Sequence, residues 1–302
     1  MRLVSLLLLA STLMPSPPPN HYPRKTNVAH RGASAYAPEH TLAAYRLALE
    51  QGADFVEQDL AVTKDGVLIC LHDPSLERTT NVEEVFPSRF SEVDDGGRKR
   101  RAWLANDFTL AEIKRLDAGS WFDPKFAGER VPTFDEAVAL IRGRAGMFPE
   151  LKTPEIYEGR DVKFEELVAA ALDRHGLRGP NADPKTPVIL QTFGADSARR
   201  LAAMKIGVPV ALLIDRGDGW DQARVRSWKG IVQDLAPAKR VVLDNPAFVT
   251  WAHDAGLTVT PYTFRSADSG RFASVSAEMA HFLYTLGVDA LFTDNPDLFP
   301  RR

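Results

Sequence analysis

Cysteine is nearly absent from this chain: Cys70 is the only one in 302 residues. That excludes an intramolecular disulfide and a zinc site built from thiolates. Net charge is also small, with 37 Lys and Arg against 40 Asp and Glu and a formal balance of −3. Neither a polybasic nucleic-acid binder nor a protein held electrostatically to anionic membranes is expected from that balance. The apolar run Leu3 to Met14 falls short of the ~20 residues that span a bilayer. Several motifs are missing as well. There is no G-x-G-x-x-G or Walker-type phosphate loop, no G-x-S-x-G nucleophile elbow and no H-E-x-x-H pair. Cys70 lies inside an apolar run and reads as core, so it offers no Cys–His nucleophile. Chemistry in this chain therefore falls to water or to a hydroxyl of the substrate.

What is present is ordinary globular composition, 44% hydrophobic and 25% charged. Met1-Arg2, the short apolar run and then Pro15, Ser16 and Pro17 to Pro19 read as a secretory signal peptide over about residues 1–20. The alternative is a buried N-terminal helix. Export places the mature chain in the periplasm or outside the cell, where free calcium is more plentiful. No cysteine follows the run to carry a lipid, so no stable membrane anchor is expected.

Beyond residue 24, short β-rich runs alternate with helical stretches. Strands are expected at residues 27–29, 54–60, 67–71, 146–151, 188–191, 208–214, 258–262 and 289–292, with a ninth, weaker candidate at 231–235. Helices are expected at 41–51, 133–141, 164–175, 196–204, 246–255 and 274–286. Thr133 with Glu136 fits a capping box, and Gly52, Gly176, Gly256 and Gly287 stand at helix stops. Such alternation implies an α/β fold with a parallel sheet, and this many units imply a closed TIM (β/α)8 barrel spanning 24–302. An open doubly wound sheet is the runner-up, weakened by the missing glycine loop. Lys64-Asp65-Gly66 is too tight a turn to join parallel strands, so an antiparallel hairpin is expected there, with Asp59 roughly opposite His72. Residues 74–130 lose the alternation and read as an insertion over one end of the barrel, with Arg98-Lys99-Arg100-Arg101 as a solvated loop.

Polar residues stand at the ends of the apolar strands. Residues i and i+2 share a strand face, so Glu57 with Asp59, Glu150 with Lys152, and Gln191 with Phe193 each point one way. His30-Arg31-Gly32 closes the first strand and His72-Asp73 closes the hairpin. In a barrel the C-terminal strand ends converge on one mouth. Crowded carboxylates there would repel one another unless a divalent cation offset them, and oxygen ligands favour Ca²⁺ or Mg²⁺ over Zn²⁺. Arg31 and Lys152 beside such a cation describe a phosphate site, and two histidines supply a base and an acid. Glu39, just after the first strand, is open to three readings: reaching the metal, orienting His30, or capping the helix near Thr41.

The ordered set resembles the glycerophosphodiester phosphodiesterases. It comprises Ala29-His30-Arg31-Gly32-Ala33-Ser34, Pro38-Glu39-His40-Thr41-Leu42, Gly52-Ala53-Asp54-Phe55-Val56-Glu57-Gln58-Asp59-Leu60 and Leu71-His72-Asp73. Pro149-Glu150-Leu151-Lys152, Gln191-Thr192-Phe193 and Phe292-Thr293-Asp294-Asn295-Pro296-Asp297 continue it. The likeness covers the chain beyond about Thr26. Pro38-Glu39-His40-Thr41 and Asp107-Phe108-Thr109-Leu110 are most similar to the exported members. The resemblance implies a barrel of the phospholipase C-like phosphodiesterase type. It would hydrolyse deacylated phospholipids such as glycerophosphocholine to sn-glycerol 3-phosphate and an alcohol. It implies Glu57, Asp59 and Glu150 as metal ligands, His30 and His72 as the acid–base pair, and Arg31, Lys152 and Gln191 around phosphate and glycerol. The family's mechanism has the neighbouring glycerol hydroxyl attack phosphorus, after which water opens the cyclic phosphate. Two positions depart from the common pattern: His40 where many members carry Asn, and Tyr262, expected to line the pocket, where many carry Trp. The alternatives are a lysophospholipid or teichoic-acid-type phosphodiester as substrate, or a non-catalytic glycerophosphodiester-binding protein.

Overall fold

The computed structural model describes residues 21–160 and 162–301; the segment read as a signal peptide, residues 1–20, lies outside them. Among the described residues there are eleven strands: β1 (Thr26–Ala29), β2 (Phe55–Val62), β3 (Leu68–Cys70), β4 (Ser91–Asp95), β5 (Arg98–Ala102), β6 (Gly146–Leu151), β7 (Leu190–Thr192), β8 (Val210–Ile214), β9 (Asp234–Pro237), β10 (Thr258–Val259) and β11 (Ala290–Thr293). One nine-stranded sheet runs β10-β9-β8-β7-β6-β2-β1-β11, with β3 attached to β2 alone. Every neighbouring pair along that path is parallel. The two ends meet: Asp289 N–H donates to Val259 O at 2.9 Å and Phe292 N–H to Pro261 O at 3.0 Å. The sheet is thus a closed barrel. The weak ninth strand candidate is β9, a barrel strand, whereas the hairpin strand β3 stands outside the ring.

Helices cover the outside, as a parallel sheet requires. Thr41 caps Leu42–Glu50, Thr133 and Glu136 form the expected capping box on Phe134–Ile141, and Gly256 ends Ala247–Ala255 at a left-handed φ of 79°. The stretch expected as one helix over 274–286 is α-helical only over Val275–His281 and continues as a π-helix over Phe282–Leu286. Among the described residues no helix is long and apolar enough to cross a membrane.

The barrel is filled rather than hollow. Phe55, Phe148 and Phe292 pack edge-on in its middle, with centroids 6.0 Å and 5.0 Å apart, and Tyr22 lies 6.2 Å below Phe55. The Phe55 ring explains Gly146: a Cβ there would fall 2.3 Å from the ring carbon Cε1. At the floor, the Tyr22 hydroxyl and Thr260 Oγ1 each donate to Asp234 Oδ2 at 2.6 Å. This plug closes the N-terminal end and leaves the opposite end for ligands.

Two expectations need correction. In the β2–β3 hairpin Leu60 faces Cys70, and Leu71 N–H donates to Asp59 O at 2.8 Å. Asp59 therefore stands opposite Leu71, and His72 lies one residue beyond. The basic run is no loop. Arg98 to Arg101 belong to β5, which pairs with β4 so that Glu92 faces Arg101 and Asp94 faces Lys99. Opposite charges across an exposed ladder replace the apolar alternation that announces a strand. The insertion around it has a small core of its own, in which Leu76, Trp103, Phe108 and Leu116 pack with Ala61, Ile69 and Leu71 of the hairpin.

Cys70 is buried, and burial pushes its thiol up to about 12. The native protein should therefore resist Ellman's reagent at about pH 8 and release one thiol per chain after unfolding. Fast native labelling would contradict the placement of β3.

Candidate active site

An open cavity of about 220 Å³ lies at the C-terminal mouth of the barrel. It is lined by His30 and Arg31 after β1, Glu57 and Asp59 of β2, His72 after β3, Glu150 and Lys152 of β6 and its end, Gln191 and Phe193 of β7 and its end, and Tyr262. Every residue named from the sequence for chemistry reaches this cavity except Glu39. Glu39 sits behind it, beside His40 and His72 in a smaller crevice. It neither caps the helix, which Thr41 does, nor touches His30. Its Oε1 accepts from Arg31 Nη1 at 3.0 Å and from Arg78 Nη2 at 2.6 Å.

The turn after β1 is built for this purpose. Arg31 and Gly32 take left-handed φ values of 57° and 85°, and a Cβ on Gly32 would fall 2.7 Å from the Ala44 carbonyl carbon. The turn aims the Arg31 backbone N–H at Glu57 Oε2, 2.6 Å away. His40 also has positive φ, 56°, and its N–H donates to Arg31 O at 3.1 Å. Each such non-glycine residue costs of order 1–3 kcal/mol, and such strain gathers at sites where function fixes the geometry.

The acids are almost fully withdrawn from water: Glu57 and Asp59 are 1% exposed and Glu150 4%. Parallel register sets Asp59 directly beside Glu150, and Glu150 beside Gln191. Burial, together with Asp59 and Glu150, pushes the Glu57 carboxyl well above its ordinary 4.5, against the pull of Arg31. Burial and Asp59 push Glu150 up likewise. Burial also favours neutral Asp59, but Lys152, His40 and Arg31 outweigh it and hold this carboxyl well below its usual range. Lys152 Nζ lies 3.3 Å from Glu150 Oε1 and 3.7 Å from Asp59 Oδ1, and Arg31 Nε lies 3.4 Å from Asp59 Oδ2.

These residues fit a divalent cation. Glu150 Oε1 and Gln191 Oε1 are buried and have no hydrogen-bond partner among the described residues. Ligand atoms of Glu57, Asp59 and His40 lie within 4.8 Å of one another. His40 enters this group as a neighbour that the sequence marked only as a departure from pattern. Its Nε2 donates to Asp59 Oδ2 at 2.8 Å, and Tyr45 Oη donates to its Nδ1 at 2.8 Å. That chain fixes one tautomer and steadies Asp59, the role of a partner behind a metal ligand.

Both imidazoles are held from behind by carboxylates. His30 Nδ1 donates to Asp294 Oδ1 and His72 Nδ1 to Asp73 Oδ1, each at 2.6 Å. The orienting roles of Asp73 and Asp294 escaped the sequence reading; the adjacency of Asp73 to His72 was the one available signal. Nε2 of each ring is then the nitrogen for the cavity. Burial and the Arg31 charge push His30 below its ordinary value, against Asp294, so its neutral form prevails near pH 7. Tyr262 lines the cavity with its ring, because its hydroxyl donates to Ile214 O at 3.1 Å. Phe193, 43% exposed, packs edge-on against it at 5.9 Å.

A closed parallel barrel with buried carboxylates, cationic side chains and two carboxylate-held histidines at its C-terminal mouth defines a TIM-barrel phosphodiesterase. The family model of the glycerophosphoryl diester phosphodiesterases matches residues 30–298, and the chain belongs to that family. A glycerophosphodiester phosphodiesterase of Bacillus subtilis is 34% identical over 91% of this chain and 85% of its own length. One from Arabidopsis thaliana is 31% identical over 90% of this chain and 84% of its own. Among solved structures, an Oleispira antarctica phosphodiesterase in complex with the product sn-glycerol-3-phosphate superposes with a TM-score of 0.69 at 27% identity, covering 91% of this chain and 94% of that one. The Agrobacterium tumefaciens glycerophosphodiester phosphodiesterase gives 0.65 at 27%, covering 91% and 98%. The family is divalent-metal-dependent.

Carboxylates crowded in this way make metal-free stability depend on pH. A carboxyl whose folded value is raised contributes its full stability below the unfolded value of about 4.5 and loses it as pH rises through the folded value. In EDTA, Glu57→Gln should therefore match wild type near pH 4 and melt progressively higher than wild type toward about pH 8. A divalent salt should raise the wild-type melting temperature more than the variant's. A Glu57→Gln variant less stable than metal-free wild type at the alkaline end would refute the carboxylate crowding.

Proposed function

We propose that this protein hydrolyses glycerophosphodiesters, deacylated phospholipids such as glycerophosphocholine, to sn-glycerol 3-phosphate and an alcohol. The observation that carries the reading is the meeting of three buried carboxylates, three cationic side chains and two carboxylate-held imidazoles on one cavity. Glu57, Asp59 and Glu150 would hold a divalent cation, Ca²⁺ or Mg²⁺ because the donors are hard oxygens, with Ca²⁺ put first because an exported protein meets more free calcium. Bound there, the cation offsets charge on the phosphoryl oxygens.

The remaining work belongs to side chains. Arg31 and Lys152 hold the phosphoryl oxygens, and Gln191, whose Oε1 is buried and free of other bonds, takes a glycerol hydroxyl. His30, kept neutral, removes the proton from the glycerol hydroxyl beside the phosphate, so that this oxygen forms the new P–O bond. His72 gives a proton to the departing alcohol oxygen. In the second step one imidazole activates water and the other protonates the ring oxygen, which opens the cyclic phosphate. Phe193 and Tyr262 form an aromatic corner against the carbon skeleton of glycerol or alcohol. Export to the periplasm or medium belongs to the same reading and rests on the sequence of residues 1–20.

The test is phosphomonoester release across a panel, read as glycerol 3-phosphate from glycerophosphodiesters and polyglycerol phosphates and as lysophosphatidate from lysophospholipids, with Ca²⁺, with Mg²⁺ and after EDTA. Release from glycerophosphodiesters that vanishes on chelation supports the proposal, and release that survives exhaustive chelation removes the metal. His30→Ala and His72→Ala should each lower kcat by about 10²–10⁴ with the fold intact. Wild-type turnover in either would remove that histidine from the mechanism, and tight binding without product would favour a binding protein.

A further inference from the structure

One guanidinium behind the cavity joins two parts of the site that are otherwise carried on separate loops. Arg78 Nε donates to Asp73 Oδ2 at 2.5 Å, while Nη1 and Nη2 donate to the two oxygens of Glu39 at 3.0 and 2.6 Å. Asp73 holds His72 with its other oxygen, and Glu39 also accepts from Arg31. The result is one chain of paired side chains: His72, Asp73, Arg78, Glu39, Arg31, Asp59. We propose that Arg78 is a positioning residue for phosphodiester cleavage, a brace that fixes the spacing between the proton-donating imidazole of His72 and the phosphate-holding guanidinium of Arg31. The proposal rests on the reading of the cavity given above.

Three features support a brace over an incidental surface pair. The first is geometry. A planar fork donating to both oxygens of one carboxylate and to a second carboxylate has little freedom, which an ammonium could not reproduce. The second is anchorage. Arg78 sits in the first turn of the 74–130 insertion, between fully buried Leu76 and the buried Thr79 and Thr80, whose Oγ1 donates to Leu76 O at 2.7 Å. The third is charge. Without Arg78, Asp73 and Glu39 face one another with one cation fewer, and Asp73 is free to swing off His72. Burial alone would raise the Glu39 carboxyl, yet Arg78, Arg31 and His40 hold it down at about 2. The comparison with the other imidazole sharpens the point. Asp294, which holds His30, meets Arg265 at 3.4 Å, and that guanidinium borders the cavity itself. Arg78 has no place in the cavity lining, so it acts through its neighbours.

Removing the brace should loosen His72 more than Arg31, because Arg31 keeps its backbone bond to Glu57 and its contact with Asp59. The loss should then fall on kcat. In the full-length protein, Arg78→Ala is expected to lower kcat for glycerophosphocholine by about 10–100-fold with KM changed less than about threefold. Methylguanidinium at millimolar concentration should restore part of the lost kcat in Arg78→Ala and leave His72→Ala unmoved. Arg78→Lys, which keeps the charge and can pair with one carboxylate at a time, should melt like wild type and turn over at an intermediate rate. Wild-type kcat in Arg78→Lys and Arg78→Ala, or a loss confined to KM, would overturn the proposal. If Arg78→Ala does not fold, Arg78→Lys decides alone: reduced kcat at an unchanged melting temperature supports the brace, and unchanged kcat ends it. Wild-type protein inactive on every glycerophosphodiester would sink the reading of the cavity and the brace with it, whereas active wild type beside fully active variants sinks the brace alone.

Discussion

Everything at the mouth of this barrel follows from three carboxylates placed where water hardly reaches them. Moving an ionised carboxylate into such surroundings costs several kcal/mol unless opposite charge comes with it. The chain meets that demand unevenly. Asp59 is surrounded by Lys152, His40 and Arg31 and stays ionised, while Glu57 and Glu150 are left short of positive charge. That deficit, with a Glu150 oxygen that has the Lys152 ammonium nearby but accepts no hydrogen bond, is what a dication would fill. The same three acids also fix the cations, since Arg31 and Lys152 are held in the cavity by them. Substrate binding and metal binding are therefore two uses of one charge balance.

The scaffold makes this tolerable by keeping water out from below. Aromatic rings fill the middle of the barrel and the Tyr22–Asp234–Thr260 group closes the floor, so the acids rest on a dry, rigid base. Strand β2 has a double role. Phe55, Glu57 and Asp59 face the barrel interior, while Leu60 to Val62 pair with β3 and carry the insertion. One strand thus bears two of the acids and anchors the segment that holds Arg78.

Much of this was legible in the sequence, for a simple reason. A strand repeats every two residues, so Glu57 and Asp59, Glu150 and Lys152, or Gln191 and Phe193 declare a common face once the strand is recognised. The barrel followed from alternation. What escaped was set by contacts distant in sequence or by strands that break the apolar rule. Asp294 reaches His30 from the far end of the chain, and Arg78 meets Glu39 across another loop. No local pattern encodes either contact. Strand β9 looked weak because Asp234 is a polar residue facing the barrel interior, which makes sense only once the Tyr22 hydroxyl is found there. Strand β5 reads as a loop because its cross-strand partners are charges rather than side chains of a core. Glu39 has near it in sequence only the first strand's end and the helix start, and its partners are Arg31 and an arginine of the insertion.

The stopper under the barrel bears on how the chain can be trimmed. Tyr22 is 2% exposed and delivers its hydroxyl to Asp234, whose other oxygen has no partner among the described residues. A processing enzyme that cut after Tyr22 would leave the buried Asp234 with one hydroxyl donor, Thr260, in place of two, and a hole below Phe55. Any trimming of the amino terminus that preserves the fold is thus confined to bonds upstream of this tyrosine, a limit set by packing at the end of the molecule farthest from its chemistry.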